Sequence, residues 1–303
     1  MKSFIRAAEI WLPAPDRTLL EFGAGAFGDA LSFAAVSRAM CFGRTEGLPG
    51  DAWDHGHPIL LKQFEGSHFR RTSAAKVAGL TCAVAVPFFV KGELTAVVTL
   101  FGSDDHTSKG AVELWCNHAR VSSDMTLLDG YYGGLPPGFE QISRDAYLPR
   151  GMGLPGLAWQ RDEVVILGQV DQSKRFLRGE AASDAGIRRA VALPCHATGH
   201  DSYVLTLLSG EETPIARRME RWVVERSQAQ LVRAAGYCEV EGDLGASRQV
   251  LKLVDADALI VKAVGSGVPV LTELGANPAG GQACLWLPVT VDDKVSELLA
   301  LYL

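Results

Sequence analysis

GLPGDAW at Gly47–Trp53 and GLPGLAW at Gly153–Trp159 write the same phrase, with one residue changed, 106 positions apart. Glycine can take a positive φ or let another backbone approach closely, and proline fixes its own φ near −65°. A loop held that way is a rigid corner or the rim of a pocket. The phrase is too short to identify anything alone, so the question is how far the repetition extends.

It runs through the whole chain. Glu-x-Trp occurs at Glu9/Trp11, Glu113/Trp115 and Glu220/Trp222, spaced 104 and 107 residues apart. Each copy is followed by a polar turn and a second apolar run (Leu19-Leu20, Leu127-Leu128, Leu231-Val232), the signature of strand, turn and strand. Further on, HFRRTSAAKVAGL from His68 parallels RFLRGEAASDAGI from Arg175. The pairs Phe69/Phe176, Gly79/Gly186 and Pro87/Pro194 all differ by 107. Self-similarity at one period defines repeated units. The expected division is 1–105, 106–218 and 219–303.

Within one repeat, Phe69, Ser73, Val77 and Leu80 recur at helical spacing, with Ser67 as the expected cap and Gly79 as the left-handed residue after the helix. Two β-rich runs follow, TCAVAVPFFV and ELTAVVTLFG, joined at Lys91-Gly92 as a hairpin. Pro87 predicts a bulge or an edge position in the first of them. The unit reads strand–strand–helix–GLPG loop–strand–helix–hairpin, an α+β fold on an antiparallel sheet. In the third repeat the GLPG loop is replaced by Asp257-Ala258-Leu259-Ile260, and GANPAGG (275–281) stands where the Phe-containing helix should be. That repeat reads as degenerate: it can finish a sheet but not close a pocket.

These elements resemble a GAF domain: GLPG-x-x-W, a strand, a Phe-x-Arg helix ending in Ala-Gly-Leu or Ala-Gly-Ile, and a Pro-containing hairpin. The resemblance covers the first two repeats and half of the third. It implies repeated GAF-like (PAS-like) domains, each a central antiparallel sheet flanked by helices. Such domains are small-molecule sensor and dimerisation modules, their ligand held between one sheet face, a helix and the connecting loops. Two features depart from the family. Only SDDHTSKGAV (103–112) separates the first two repeats, which leaves no room for the usual long flanking helices. No kinase, cyclase, phosphodiesterase or DNA-binding segment is present, so output is expected through a partner protein, with a homodimer as a further expectation.

Composition narrows the class. The chain has 303 residues, 48% hydrophobic and 21% charged, with a net charge of −6. No basic segment provides a nucleic-acid footprint. Arg6 and Glu9 interrupt any apolar leader, and no uncharged run is long enough to span a membrane. Six cysteines stand singly without a CxxC, which predicts reduced thiols and a cytoplasmic protein.

Candidate chemistry is sparse. Cys195-His196 echoes the Cys-His pair of bilin-binding GAF domains, but it lies on a strand where the first repeat has Phe88-Phe89, so it reads as a packing slot. His55, His57 and His68 lie near Asp51 and Asp54. The second repeat has Arg161 and Glu163 at the matching positions, so a solvated loop is expected there and no metal site. Ser173-Lys174, Phe176 and Glu180 only faintly echo the cyclic-nucleotide signature. Cys41, Cys82, Cys195 and Cys238 lie in different segments, without the resolving partner that a sulfoxide reductase needs. The matched positions Trp53/Trp159, Phe69/Phe176 and Arg71/Arg178 are the ligand-binding candidates: apolar walls with an arginine for an anionic group. The same residues read equally well as core with arginines on a wet helix face. The expected function is a non-enzymatic sensory or regulatory protein, without cofactor, that binds a small molecule and signals through a partner. The alternative is a scaffold or assembly protein whose pockets its own side chains fill.

Overall fold

The computed structural model describes residues 3–103, 109–245, 247–274 and 283–303. The first repeat comprises β1 (Ile5–Pro13), β2 (Leu19–Ala26), α1 (Leu31–Arg38), β3 (Cys41–Gly43), α2 (Gly47–His55), β4 (Ile59–Leu61), α3 (Thr72–Val77), β5 (Cys82–Val90) and β6 (Glu93–Gly102). The second repeats that order as β7 (Gly110–Asn117), β8 (Asp124–Tyr131), α4 (Pro137–Arg144), β9 (Tyr147–Pro149), α5 (Gly153–Arg161), β10 (Val165–Leu167), α6 (Gly179–Asp184), β11 (Arg189–Cys195) and β12 (Ser202–Ser209). The third has β13 (Arg218–Glu225), β14 (Gln230–Cys238), β15 (Gly242–Asp243), β16 (Val250–Lys252), α7 (Ala258–Ser266), β17 (Val270–Glu273), β18 (Ala283–Val291) and β19 (Lys294–Tyr302).

Each repeat forms its own antiparallel sheet. The orders β3-β2-β1-β6-β5-β4, β9-β8-β7-β12-β11-β10 and β16-β14-β13-β19-β18-β17 are one topology written three times, with β15 an additional short strand on the far end of β14. The match extends to single residues. Beside Trp11, Trp115 and Trp222 the neighbouring strand is bulged, its extra residue being Gly23, Leu128 and Ala234 in β2, β8 and β14. Pro87, Pro194 and Pro288 each stand two residues past the last pairing of their strand with its outer neighbour (Ala85, Ala192 and Trp286). There the strand has become an edge, where a missing N–H costs no ladder bond. The register shift beside Phe88/Phe89 places its extra residue, Thr95, on β6, so of the two expected accommodations β5 shows the edge position at Pro87.

The GLPG phrase is not a loop. It is the first turn of α2 and of α5. Gly47 and Gly153 enter the helix at φ +58° and +66°, where a side chain would be strained. A Cβ on Gly50 would lie 2.1 Å from the Gly43 carbonyl oxygen, and one on Gly156 2.5 Å from that of Pro149. The first glycine therefore sets the turn into the helix, and the second lets the helix touch the strand before it. In the third repeat α7 keeps this helix without the glycines, because the Asp257 carboxylate caps it by accepting from the Leu259 N–H at 2.7 Å. That repeat is thus fuller than its sequence suggests. It lacks counterparts of α1 and α3 among the described residues, and the expectation for 275–281 falls outside them. Ser67 also departs from expectation. Its hydroxyl accepts from the Phe69 N–H and donates to the Phe64 carbonyl, forming a turn ahead of α3 without capping it. Gly79, at φ +67°, ends that helix as expected.

The strands alternate small against large. Ala83 and Ala85, like Ala190 and Ala192, face the helices, where small side chains permit close approach. Val84 and Val86, Val191 and Leu193, and Leu285 and Leu287 face the other way into one core shared by all three sheets. The repeats close into a ring: β4 lies beside β8, β10 beside β13 and β14, and β17 beside β2. The first seam carries a Lys62–Asp129 ion pair at 2.7 Å and a Thr81–Tyr131 hydrogen bond at 2.9 Å. At the second, Arg189 grips Glu239 through two bonds of 2.9 Å and lies 4.5 Å from the Tyr237 ring centre. At the third, the Lys91 N–H donates to Asp293 at 2.7 Å. The arrangement is pseudo-threefold, with Pro87, Pro194 and Pro288 lining one crevice where the sheets meet.

Candidate functional site

The helix-facing side of each sheet buries the Glu-x-Trp motif. Alternation puts both residues on one face, and each indole donates to the carboxylate two residues before it: Trp11 to Glu9 at 3.1 Å, Trp115 to Glu113 and Trp222 to Glu220 at 3.0 Å. A buried carboxylate needs a cation. In the first repeat Arg71, immediately ahead of α3, supplies it through two bonds to Glu9, one of them 3.0 Å. Arg71 also donates to Ser37 on α1 at 2.5 Å, and that hydroxyl donates to the Phe33 carbonyl. The second repeat reproduces this set. Arg178 donates to Glu113 at 2.5 and 2.8 Å and to Ser143, which donates to Phe139.

The third repeat reaches the same end by another route. With no counterpart of α3 among the described residues, it meets Glu220 with Arg233 from β14 at 2.8 Å and Arg218 at 2.7 Å. Arg233 also reaches Ser247 at 2.7 Å, and Tyr302 donates to Glu220 at 3.0 Å, as Tyr132 does to Glu113. Burial by itself pushes Glu113 and Glu220 up. The arginines outweigh it and hold both below the usual carboxylate range.

Phe69 and Arg71 are brought together, as are Phe176 and Arg178. The Arg71 guanidinium lies 4.7–5.7 Å from the ring centres of Trp11, Phe33, Phe42, Phe69 and Phe101. Arg178 lies 5.0–5.2 Å from those of Trp115, Phe139 and Phe176. The guanidinium is thus the occupant of an aromatic box, and the anion it meets is the chain's own glutamate. The arginines are not on a wet face: the Arg71 side chain is 1% exposed and the Arg178 side chain 6%. Trp53 and Trp159 stand apart from that box, half-buried on α2 and α5 beneath Arg44 and Arg150. The linked partners Glu9, Ser37, Glu113 and Ser143 were missed as a site. Their signal is in the sequence: Ser37 and Ser143 keep the 106-residue period, and both glutamates stand in the repeated Glu-x-Trp motif.

The other candidates fall into place individually. Burial pushes the Cys195 thiol up to about 12, so it is neither a thiolate nor a nucleophile at neutral pH. His68 pairs with Asp51 at 2.5 Å, and His55 bonds the Asp51 carbonyl at 2.9 Å. His57 meets His55 edge-on at 5.7 Å and stacks on Tyr203 of the second repeat, with ring centres 4.7 Å apart. A cleft of about 740 Å³ lies between the first and third repeats, lined among others by Arg6, Phe27, Arg38 and Leu303. Among the described residues no helix is long and apolar enough to cross a membrane.

No family model matches the chain, and no curated protein matches it. Solved structures of similar fold are mostly GAF domains. The "A. Aeolicus nlh2 gaf domain in an inactive state" is 19% identical, covering 33% of this chain and 59% of its own, with a TM-score of 0.27. Free methionine-R-sulfoxide reductase from Neisseria meningitidis is 20% identical over 33% of this chain and 51% of its own, with a TM-score of 0.25. The GAF domain of a phosphoenolpyruvate-protein phosphotransferase from Coxiella burnetii is 17% identical over 33% of this chain and 55% of its own, at 0.26. The chain therefore spans between half and two thirds of the length of these structures, and each of them spans about one repeat. By its sheet order, written three times with the same bulges and edge prolines, the chain is a tandem repeat of one α+β fold, similar to that of GAF domain structures.

Proposed function

We propose that this protein is a non-enzymatic regulatory or assembly module that acts through a protein partner, its three GAF-like interiors closed by its own arginine–glutamate pairs. One observation carries the reading. Arg71 and Arg178, the groups best suited to hold an anionic ligand, are buried and bidentately bound to Glu9 and Glu113. A ligand using Trp53, Phe69 and Arg71, or Trp159, Phe176 and Arg178, would have to displace those carboxylates, leaving each without its cation in a dry site. The six cysteines form no disulfide, which supports a reducing compartment, the cytoplasm.

The sensor reading, in which these residues bind a small molecule and relay it to a partner, is the rival. Native mass spectrometry of the protein purified from its own host separates the two. The expected spectrum shows the bare chain, alone or with a stoichiometric protein partner. A retained small molecule that Phe69→Ala or Phe176→Ala releases would overturn the proposal in favour of the sensor.

A further inference from the structure

The second repeat carries a group of side chains that its sister repeats lack and that the fold does not require. Cys116 lies near the end of β7 and is buried, and His118 follows just beyond the strand. Asp201 stands immediately before β12, whose Ser202 and Tyr203 pair with Asn117 and Cys116. The register therefore sets Asp201 across from His118. The His118 Nδ1 is 2.8 Å from an Asp201 carboxylate oxygen and 3.7 Å from the Cys116 sulfur. All three donor atoms lie within 4.8 Å of one another.

The positions are telling. Cys116 follows Trp115 as Leu12 follows Trp11 and Val223 follows Trp222. An aliphatic side chain fills this slot in the other two repeats, and only here is it a thiol with an imidazole and a carboxylate beside it. The surroundings are also fixed from the first repeat. The Gly56 carbonyl accepts from the Thr198 N–H at 3.2 Å, and His57 stacks on Tyr203. The two contacts hold the chain on either side of Asp201 against the neighbouring repeat.

We propose that Cys116, His118 and Asp201 bind a zinc-class divalent cation that ties this turn to the end of β7, at the seam of the first and second repeats. A sulfur–nitrogen–oxygen set selects a borderline-soft ion over calcium or magnesium. With metal–sulfur and metal–nitrogen bonds of about 2.3 and 2.0 Å, tetrahedral donors stand roughly 3.5 Å apart. The sulfur–nitrogen spacing already fits, and the nitrogen–oxygen contact needs to open slightly as its hydrogen bond gives way to the ion. Binding releases one proton, that of the Cys116 thiol. His118 binds through Nδ1, so in the complex its ring proton sits on Nε2. This assignment does not depend on the regulatory reading.

Cobalt(II) is the probe. It would be titrated into the full chain carrying Cys41→Ser, which removes the exposed thiol as a competing site. One cobalt per chain should bind with a thiolate-to-cobalt charge-transfer band in the near ultraviolet, and zinc should displace it. Cys116→Ser should abolish the band. His118→Gln and Asp201→Asn should weaken binding by ten-fold or more. Since Cys116 is buried, a second readout uses the exposed His118: zinc should raise the melting temperature of the parent and not of His118→Gln. Cobalt uptake without the band, uptake unchanged by Cys116→Ser, or an equal zinc shift in parent and His118→Gln would each overturn the proposal.

Discussion

Replacing Arg71 with methionine keeps most of the volume of the side chain while removing its charge. The structure fixes what is lost. Glu9, 0% exposed, would keep only the Trp11 indole as a donor and lose two charge-assisted bonds. Ser37 would lose the donor now bound to it at 2.5 Å. Breaking a buried ion pair from one side costs about 3–5 kcal/mol, most of it the penalty of the stranded charge. The cation–ring attraction to five aromatic rings is lost as well, but it overlaps with that figure and does not add to it. Glu9→Leu should cost a similar amount, because it leaves a guanidinium buried among rings. Removing both charges together strands neither partner. Exchange of a whole buried pair for apolar groups is neutral or even stabilising. The double variant should therefore fall within about 1–2 kcal/mol of the parent, which gives a coupling energy of at least about 3 kcal/mol. Urea melts of the four proteins, followed by circular dichroism, measure the cycle. Single variants that each cost under about 1 kcal/mol and simply add would refute the reasoning. They would also free Arg71 for an external anion.

Three further outcomes are expected. Gly50→Ala or Gly156→Ala should destabilise by about 1–3 kcal/mol, because the new Cβ meets a carbonyl oxygen, whereas Gly138→Ala, in open space on α4, should stabilise by up to about 1 kcal/mol; chemical melts compare them. Glu113 is held below the usual value of 4.5 in the folded chain, so its contribution is full above that pH and is lost as pH falls through the folded value; Glu113→Gln should be less stable at pH 7 but lose less stability than the parent between pH 5 and 3 in a pH series of urea melts. Deleting 219–303 strips Met219, Leu285, Leu287, Val289, Leu299 and Leu301 from the shared core, so the 1–218 fragment should melt lower or self-associate; a monomeric fragment melting as high as the full chain would break the closed-ring description.

The periodic anchors made the repeat legible because they are the residues geometry cannot vary: a tryptophan at a bulge, a glycine ending a helix, a proline where a strand loses its neighbour. Their chemistry was harder to read. Glu9 and Arg71 are 62 residues apart, and nothing local links a strand marker to a residue ahead of a short helix. Once strands alternate strictly, Glu9 and Trp11 must share a face, and the even spacing of Ala83 and Ala85 marks that face as the one beneath the helices. A carboxylate there needs a buried cation, and Arg71/Arg178 stand among the repeated cations, beside Arg38/Arg144 and Arg44/Arg150. GLPG misled for a related reason. Glycine and proline signal a loop by propensity, yet at a helix start proline loses no hydrogen bond and glycine supplies the entry angle.

The ring closure lies beyond any local signal, but its cause is written in the same strands. Ala83-Val84-Ala85-Val86 is apolar on both faces, as is Ala190-Val191-Ala192-Leu193. A sheet with helices on one side covers only the alanine face. The valine and leucine face needs an equal cover, and no helix of its own repeat reaches it. Three such faces turned inward cover each other, provided that the strand ends do not collide where they converge. The edge prolines fall at that convergence. With no N–H to offer, they block strand-to-strand pairing between repeats and leave side-chain packing as the means of contact. The same residue that ends each sheet thus keeps three sheets from fusing into one, and a closed triplet follows from edges that cannot pair.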